Sequence, residues 1–302
     1  MPDGDGAAGT STGGTLTPAA LRAWPLPEPT GGKDARGGVL VVGGARRTPG
    51  AAMLAGLAAL RVGAGRLTLA VAGSLAPHVA VAVPEAGVVG LPEDAHGSVT
   101  GAGDGVLDGE LARADVVVVG PGLDAPDGTL AVLRAVVAGT AGDVPLVLDA
   151  FALGVLPDAQ DLHEALRGRT VLTPNATEMT YLLGLDDGAD EDGVDDGAAA
   201  RAAGRYGVVV ACAGAVAAPD GRRWRSSTGY SGLGTSGSGD VLAGAVGGLL
   251  ARGADPAQAA CFGVEAHGTA GDRLAARVGP QGYLARELLD ELPRVLVELR
   301  VR

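Results

Sequence analysis

Six short runs of aliphatic and β-branched residues punctuate the chain from Gly38 onward: GVLVVGG, RLTLAVA, DVVVVG, PLVLDA, RTVLTPN and GVVVACAG. Each is apolar throughout rather than at every second position, and most precede a helix-length segment such as TPGAAMLAGLAALRVGAG. A strand that is apolar on both sides has to be covered on both sides, which helices joining parallel strands achieve. The expected fold is therefore α/β, with a mostly parallel central sheet and helices on both faces. The segment AVAAPDGRRWRSST, with Pro219-Asp220-Gly221 as its turn, predicts an antiparallel hairpin on the sheet edge. Two helices should close the chain, one capped by Asp255 with Pro256 in its first turn, the other over LARELLDELPRVLVELR.

Residues 1–30 are rich in Gly, Ser, Thr and Pro without apolar periodicity, so they read as a flexible tail before one domain spanning residues 31–302. The acidic stretch LDDGADEDGVDDGAAA from Leu185 reads as a solvated loop, with a metal site as the alternative. Aromatics make up only 3% of the residues, so Ala, Val and Leu must fill the core. A net charge of -12, with no arginine stripe interleaved with aromatics, argues against a nucleic-acid partner. Cys212 and Cys261 lie in apolar contexts without metal or disulfide spacing and read as buried small hydrophobes. His78, His96 and His163 likewise lack ligand spacing. No run is long and apolar enough for a membrane span, and the N-terminus lacks the pattern of a signal peptide, so a cytoplasmic protein is expected.

Ligands of parallel sheets gather at the carboxyl ends of the strands, and polar segments follow several strands here: GGARRTPGAA, GPGL, LDAF and LTPNATEM. The most informative is GLGTSGSGDVLAGAVGGLLARG, residues 232–253. Val241, Ala245 and Leu249 fall on helical spacing, so the glycines before them stand at a helix N-terminus. Amides of Ser238, Gly239 and Asp240, together with the helix dipole, would form an anion hole there, and Gly237 and Gly239 would let phosphate oxygens approach the backbone. No lysine follows, so this is not a Walker-type loop. Asp240 would stand beside the phosphate, placed to accept a proton from an attacking hydroxyl. The plain alternative is that Asp240 caps the helix and the glycines form a linker.

These segments, in this order from Lys33 onward, resemble the ADP-dependent NAD(P)H-hydrate dehydratase family of the ribokinase-like superfamily. The resemblance implies repair of the hydrated cofactors NADHX and NADPHX to NADH and NADPH, with ADP as co-substrate, AMP and phosphate as products, and Mg2+ as the nucleotide's counter-ion. It implies Asp240 as catalytic base, with Ala51, Gly122, Asn175 and Asp240 at the hydrated cofactor. Gly214, Thr235, Gly237, Ser238 and Gly239 would meet the nucleotide, and Glu178 would lie near the metal and phosphates. It further implies a homo-oligomer, with a tetramer as one form, and leaves any epimerase to a separate protein.

The sequence departs from the family pattern at three places. Asn175 stands for the usual His, Phe151 for the second Asp of a DADAL segment whose first is Asp149, and Ala213 for a phosphate-side Lys. The only lysine, Lys33, keeps the family's position. His267 could border the adenine or be a satisfied buried histidine, and Trp224 could cover an adenine face or pack. Two further readings stay open: a hydroxymethyl kinase of the same fold, using ATP, and a non-catalytic nucleotide binder.

Overall fold

The computed structural model describes residues 14–185 and 197–300. Its strands are β1 (Gly14–Thr15), β2 (Gly38–Val42), β3 (Arg66–Ala72), β4 (Gly87–Leu91), β5 (Val116–Val119), β6 (Leu146–Leu148), β7 (Thr170–Leu172), β8 (Val209–Cys212), β9 (Ala215–Ala217) and β10 (Arg223–Arg225). The helices are α1 (Pro18–Arg22), α2 (Pro49–Arg61), α3 (Ala76–Ala82), α4 (Asp108–Leu111), α5 (Pro126–Gly139) and α6 (Phe151–Val155). They continue with α7 (His163–Leu166), α8 (Ala176–Leu183), α9 (Ala198–Tyr206), α10 (Ser238–Ala251), α11 (Pro256–Val278) and α12 (Ala285–Arg300).

One sheet runs in the order β1-β10-β9-β8-β7-β6-β5-β2-β3-β4. From β8 to β4 every neighbouring pair is parallel, as the uninterrupted apolar runs require. Successive residues of β2 and β5 alternate between two cores. Val39, Val41, Val116 and Val118 join residues of α2, α10, α11 and α12, whereas Leu40, Val42, Val117 and Val119 join residues of α5, α6, α8 and α9. Chain order reverses between β2 and β5: the sheet grows through β3 and β4 on one side and through β6, β7 and β8 on the other. Such a reversal opens a crevice at the strands' carboxyl ends. Helix α10 packs backbone-close on α2, since a Cβ on Gly244 would lie 1.9 Å from the Ala55 carbonyl oxygen. That contact fixes the glycine-rich start of α10 beside the start of α2.

Asp255 caps α11 as expected, accepting from the amides of Ala257 and Gln258, with Pro256 in the first turn. Both cysteines are free and buried. Three readings change. The expected flexible tail does not extend to residue 30, because Leu16, Leu21, Trp24 and Leu26 are buried in the core beside α12 and β10. Trp24 stacks on Trp224 at 5.8 Å, and Gln258 Nε2 donates to the carbonyls of Trp24 and Pro25. Prolines at 18 and 25 interrupt this stretch and no single period runs through the four anchors, so patterning could not find them. The hairpin forms between β9 and β10, yet β10 is not the edge, because two-residue β1 pairs with it in parallel. Strand β4 is an addition to the expected strands: this edge strand reads GVVGL, and its two glycines, a residue type depleted in strands, dilute the β-branched signal. The acidic segment falls mostly on residues 186–196, outside the described residues. No helix among the described residues is long and apolar enough to cross a membrane.

Candidate active site

The loops after β2 and β5 are tied together at the crevice. Gly44 and Ala45 donate backbone hydrogen bonds to the carbonyls of Pro121 and Gly122, and Thr48 Oγ1 donates 2.8 Å to the Gly122 carbonyl. A Cβ on Gly122 would lie 3.1 Å from that of Ala51, so these two predicted substrate residues are neighbours. One turn along α2, Leu54 reaches the α10 start, where a Cβ on Gly237 would be 2.6 Å from Leu54 Cδ1 and 3.8 Å from Asp240 Oδ2. Ala51, Gly122, Gly237 and Asp240 therefore share one region although the sequence scatters them.

Gly237 is the N-cap of α10 at φ +89°, a left-handed conformation that glycine adopts without a steric penalty. No side chain caps this helix, so Asp240, in the first turn, is not spent on the capping role offered as the plain alternative. The amides of Gly239 and Asp240 have no intrahelical acceptor and can bind an anion. The Ser238 amide does not join them, because it already donates to the Thr235 carbonyl at 3.2 Å. The anion hole is thus narrower than expected, and the backbone of Thr235 serves the turn. The Ser238 side chain is held by His267, which is buried, with Nε2 2.9 Å from Ser238 Oγ and 3.0 Å from the Ser238 carbonyl oxygen. A carbonyl can only accept, so Nε2 carries the hydrogen. Burial pushes the imidazole down to about 4, which keeps it neutral. Oγ is left able to donate its own hydrogen to a ligand.

Three carboxylates feel one another here. Asp149 is buried and accepts 2.7 Å from Thr173 Oγ1, and burial, reinforced by the charges of Asp240 and Glu178, raises it to about 8. Asp240 is raised to about 6, first by burial and then by Glu178. Asp149 does not act on Asp240, which is consistent, since Asp149 still holds its proton when Asp240 ionises. At neutral pH Asp149 is neutral and Asp240 is a carboxylate of unusually high basicity. Glu178 is itself raised by burial. Asn175 and Glu178 form a reciprocal cap of α8: Asn175 Oδ1 accepts from the Glu178 amide and Glu178 Oε2 from the Asn175 amide. Only the Asn175 amide NH2 and Glu178 Oε1 remain for ligand contacts. Among the described residues no three His, Cys, Asp or Glu side chains are grouped so as to hold a metal.

A cleft of about 810 Å³ adjoins this centre. Asn175, Gly214, Ser238 and Gly239 line it, whereas Ala51, Gly122, Glu178, Thr235, Gly237 and Asp240 do not. The predicted residues thus divide between a nucleotide-sized cleft and the β2–β5 crevice, with the start of α10 between them. His267 lines the cleft, and its hydrogen bonds to Ser238 make it the satisfied buried histidine of the second reading. Trp224 packs: it is buried against Trp24, and Arg222 lies over its ring. Ala213 and Gly214 form the turn between β8 and β9 with φ +47° and +81°, so Ala213 bears a conformation uncommon outside glycine. Lys33 precedes β2 at the amino end of the strands, away from the site.

Sequence reasoning missed Glu265. It is buried, accepts 2.7 Å from Ser226 Oγ, and so fixes the segment from Ser226 to Thr228 along the cleft. The available signal was a lone carboxylate inside the apolar stretch CFGVEAHG.

A family profile described as NAD(P)H-hydrate dehydratase matches residues 39–294. The chain is 47% identical to an ADP-dependent (S)-NAD(P)H-hydrate dehydratase of Xanthomonas campestris pv. campestris, covering 94% of this chain and 96% of that protein. It also matches bifunctional NAD(P)H-hydrate repair enzymes, of which it spans about half the length. Among solved structures, the ADP/ATP-dependent NAD(P)H-hydrate dehydratase of Bacillus subtilis, co-crystallised with ATP and Mg2+, superposes with a TM-score of 0.74 at 25% identity. That match covers 96% of this chain and 100% of the other. A ribokinase-like superfamily protein of Enterococcus faecalis V583 shares the fold with a TM-score of 0.78 at 23% identity, covering 96% and 98% of the two chains.

Proposed function

Because this chain belongs to the NAD(P)H-hydrate dehydratase family, we propose that Asp240 is the base of its reaction and that the start of α10 joins two ligand sites. The enzyme is a hydro-lyase that dehydrates the S epimer of NADHX and NADPHX to NADH and NADPH with consumption of ADP. The observation that carries the mechanism is the position of Asp240, between the cleft and the crevice and beside amides free to bind an anion.

In this reading the hydrated nicotinamide occupies the crevice against Ala51 and Gly122, and the Asn175 amide meets it from the cleft side. ADP occupies the cleft, its base end toward Gly214 and its phosphates against Ser238 and Gly239. Asp240 takes the proton of the C6 hydroxyl as that oxygen attacks the β-phosphorus, and AMP departs. The Gly239 and Asp240 amides and the Ser238 hydroxyl stabilise the charge developing on the transferred phosphoryl group. Hydroxide is a poor leaving group, whereas the new phosphate is expelled by the ring nitrogen lone pair. Proton loss from C5 then restores the C5–C6 double bond. The net change is ADP and NADHX to AMP, phosphate and NADH. Mg2+ would be carried by nucleotide phosphates and water, with Glu178 acting indirectly. The ion would supply phosphate charge neutralisation.

The kinase reading gives way because the family profile and the Xanthomonas relative match the dehydratase over nearly the whole chain. The binder reading leaves the raised Asp240 without a purpose. The direct test is reduced-cofactor absorbance with NADHX, Mg2+ and either ADP or ATP. Turnover is expected with ADP; absence of turnover with both nucleotides overturns the reading.

The pH profile supplies a second test. Asp240 must be ionised to act and titrates at about 6, so kcat/KM should rise about tenfold per pH unit below that value and level off above it. A profile already flat from pH 4.5 to 7 would exclude Asp240 as the titrating base.

A further inference from the structure

Glu265 is a buried carboxyl that the mechanism above does not use. Its partners are the hydroxyls of Ser226 and Thr228 rather than a cation. A carboxyl removed from water without a counter-charge destabilises the fold when ionised, so its presence inside α11 asks for a function.

Along a helix, positions three, four and seven apart share a face, whereas positions two apart do not. Glu265, Gly268 and Asp272 therefore form one face of α11, and that face meets the chain from Ser226 to Tyr230 point by point. Glu265 Oε2 accepts 2.7 Å from Ser226 Oγ, and a Cβ on Gly268 would collide with Thr228 Oγ1. Asp272 accepts from the amides of Gly229 and Tyr230 at 3.2 and 3.0 Å. His267, two positions from Glu265, turns away from that face and holds Ser238. One helix thus grips two walls of the 810 Å³ cleft: the segment from Ser226 to Tyr230, which the Ser226 amide ties to the Gly214 carbonyl at 2.8 Å, and the start of α10. Within this grip Glu265 fixes the most groups. Ser226 Oγ donates to it, accepts from the Thr228 amide at 3.1 Å and lies 2.8 Å from Thr228 Oγ1, so a single carboxyl orders both hydroxyls and the turn between them. We propose that Glu265 is a positioning residue for the nucleotide, holding the Ser226–Thr228 wall beside Gly214 at the separation from Ser238 that lets ADP meet both ends of the cleft. Its bonds run to no residue of the β2–β5 crevice, so its influence falls on one of the two ligands. The assignment rests on the ADP-dependent reading above.

Calorimetry with ADP, steady-state kinetics and thermal melts on Glu265→Gln, Ser226→Ala and the double variant test it. Glu265→Gln presents one acceptor oxygen where the carboxyl has two, and it should weaken ADP about tenfold while kcat and the KM for NADHX stay within about twofold. Ser226→Ala, which leaves the carboxyl in place, should also weaken ADP. The double variant should bind ADP within about twofold of Glu265→Gln alone, because the two side chains act through one bond. Burial raises the Glu265 pKa, so this group contributes stability below its ordinary 4.5 and loses it as pH rises. Glu265→Gln should therefore melt no lower than wild type at pH 8, a result that a purely structural role would not give. Undiminished ADP affinity in either single variant, or additive losses in the double variant, overturns the proposal. So does a parallel rise in the KM for NADHX accompanied by a lower melting temperature. Failure of wild type to bind ADP would overturn the ADP-dependent reading, and this proposal with it.

Discussion

Asp240→Asn should reduce turnover of NADHX with ADP by about 10³-fold while leaving ADP affinity nearly intact, because a positioned general base contributes on the order of 10²–10⁴ in rate. Asn keeps the shape and can still hydrogen-bond the C6 hydroxyl, but it cannot take the proton. The same substitution should stabilise the protein at alkaline pH. The carboxyl is raised from 3.8 to about 6 by burial and by Glu178. Its protonated form therefore contributes stability that is complete below about 3.8 and is lost as pH rises through about 6. Above that, wild type carries a destabilisation of roughly 3 kcal/mol that Asn lacks. Melting curves should then separate at pH 8, with the variant higher, and converge near pH 4. A variant that keeps a tenth of wild-type turnover would remove Asp240 from the role of base. One that melts lower at pH 8 would mean that the side chain is structural rather than held at a cost for function.

What the sequence disclosed about this site was local. The glycine cluster before Val241 announces a helix start because the cap and the helical spacing lie within a few residues. The β2–β5 crevice was foreshadowed by polar segments after apolar runs. What joins these pieces is tertiary. No spacing rule relates Leu54 to Gly237, Thr173 to Asp149, or His267 to Ser238, yet those contacts set the position and charge of the groups at the candidate site. Asn175 shows a subtler limit. The sequence presented it as a replaced histidine, whereas the structure also makes it half of a capping box with Glu178, and the spacing of those residues in NATE already contained that signal. The Trp24–Trp224 stack lies at the other extreme: two aromatics 200 positions apart gain meaning only once β1 is seated beside β10.

Gly239→Ala should separate folding from function most sharply, lowering turnover and ADP affinity by on the order of 100-fold while raising the melting temperature. A Cβ on Gly239 would meet no protein atom within 4 Å, so nothing in the fold demands glycine at this position. Gly237 differs, since its positive φ and its contact with Leu54 explain it without any ligand. In the first turn of α10, alanine should stabilise the helix by about 0.5–1 kcal/mol, through lower unfolded-state entropy and higher helix propensity. In a domain of this size that corresponds to a rise of about 1–3 °C. The open space a methyl group would take is the space beside the amides assigned to the phosphoryl group, so the added carbon holds the anion away from its donors. Adenosine, which has no phosphate to place there, should bind the variant as it binds wild type. Calorimetry with ADP and adenosine, beside thermal melts, reads both signs at once. If Gly239→Ala binds ADP normally, the start of α10 is not the phosphate site; if it melts well below wild type, the glycine serves the fold after all.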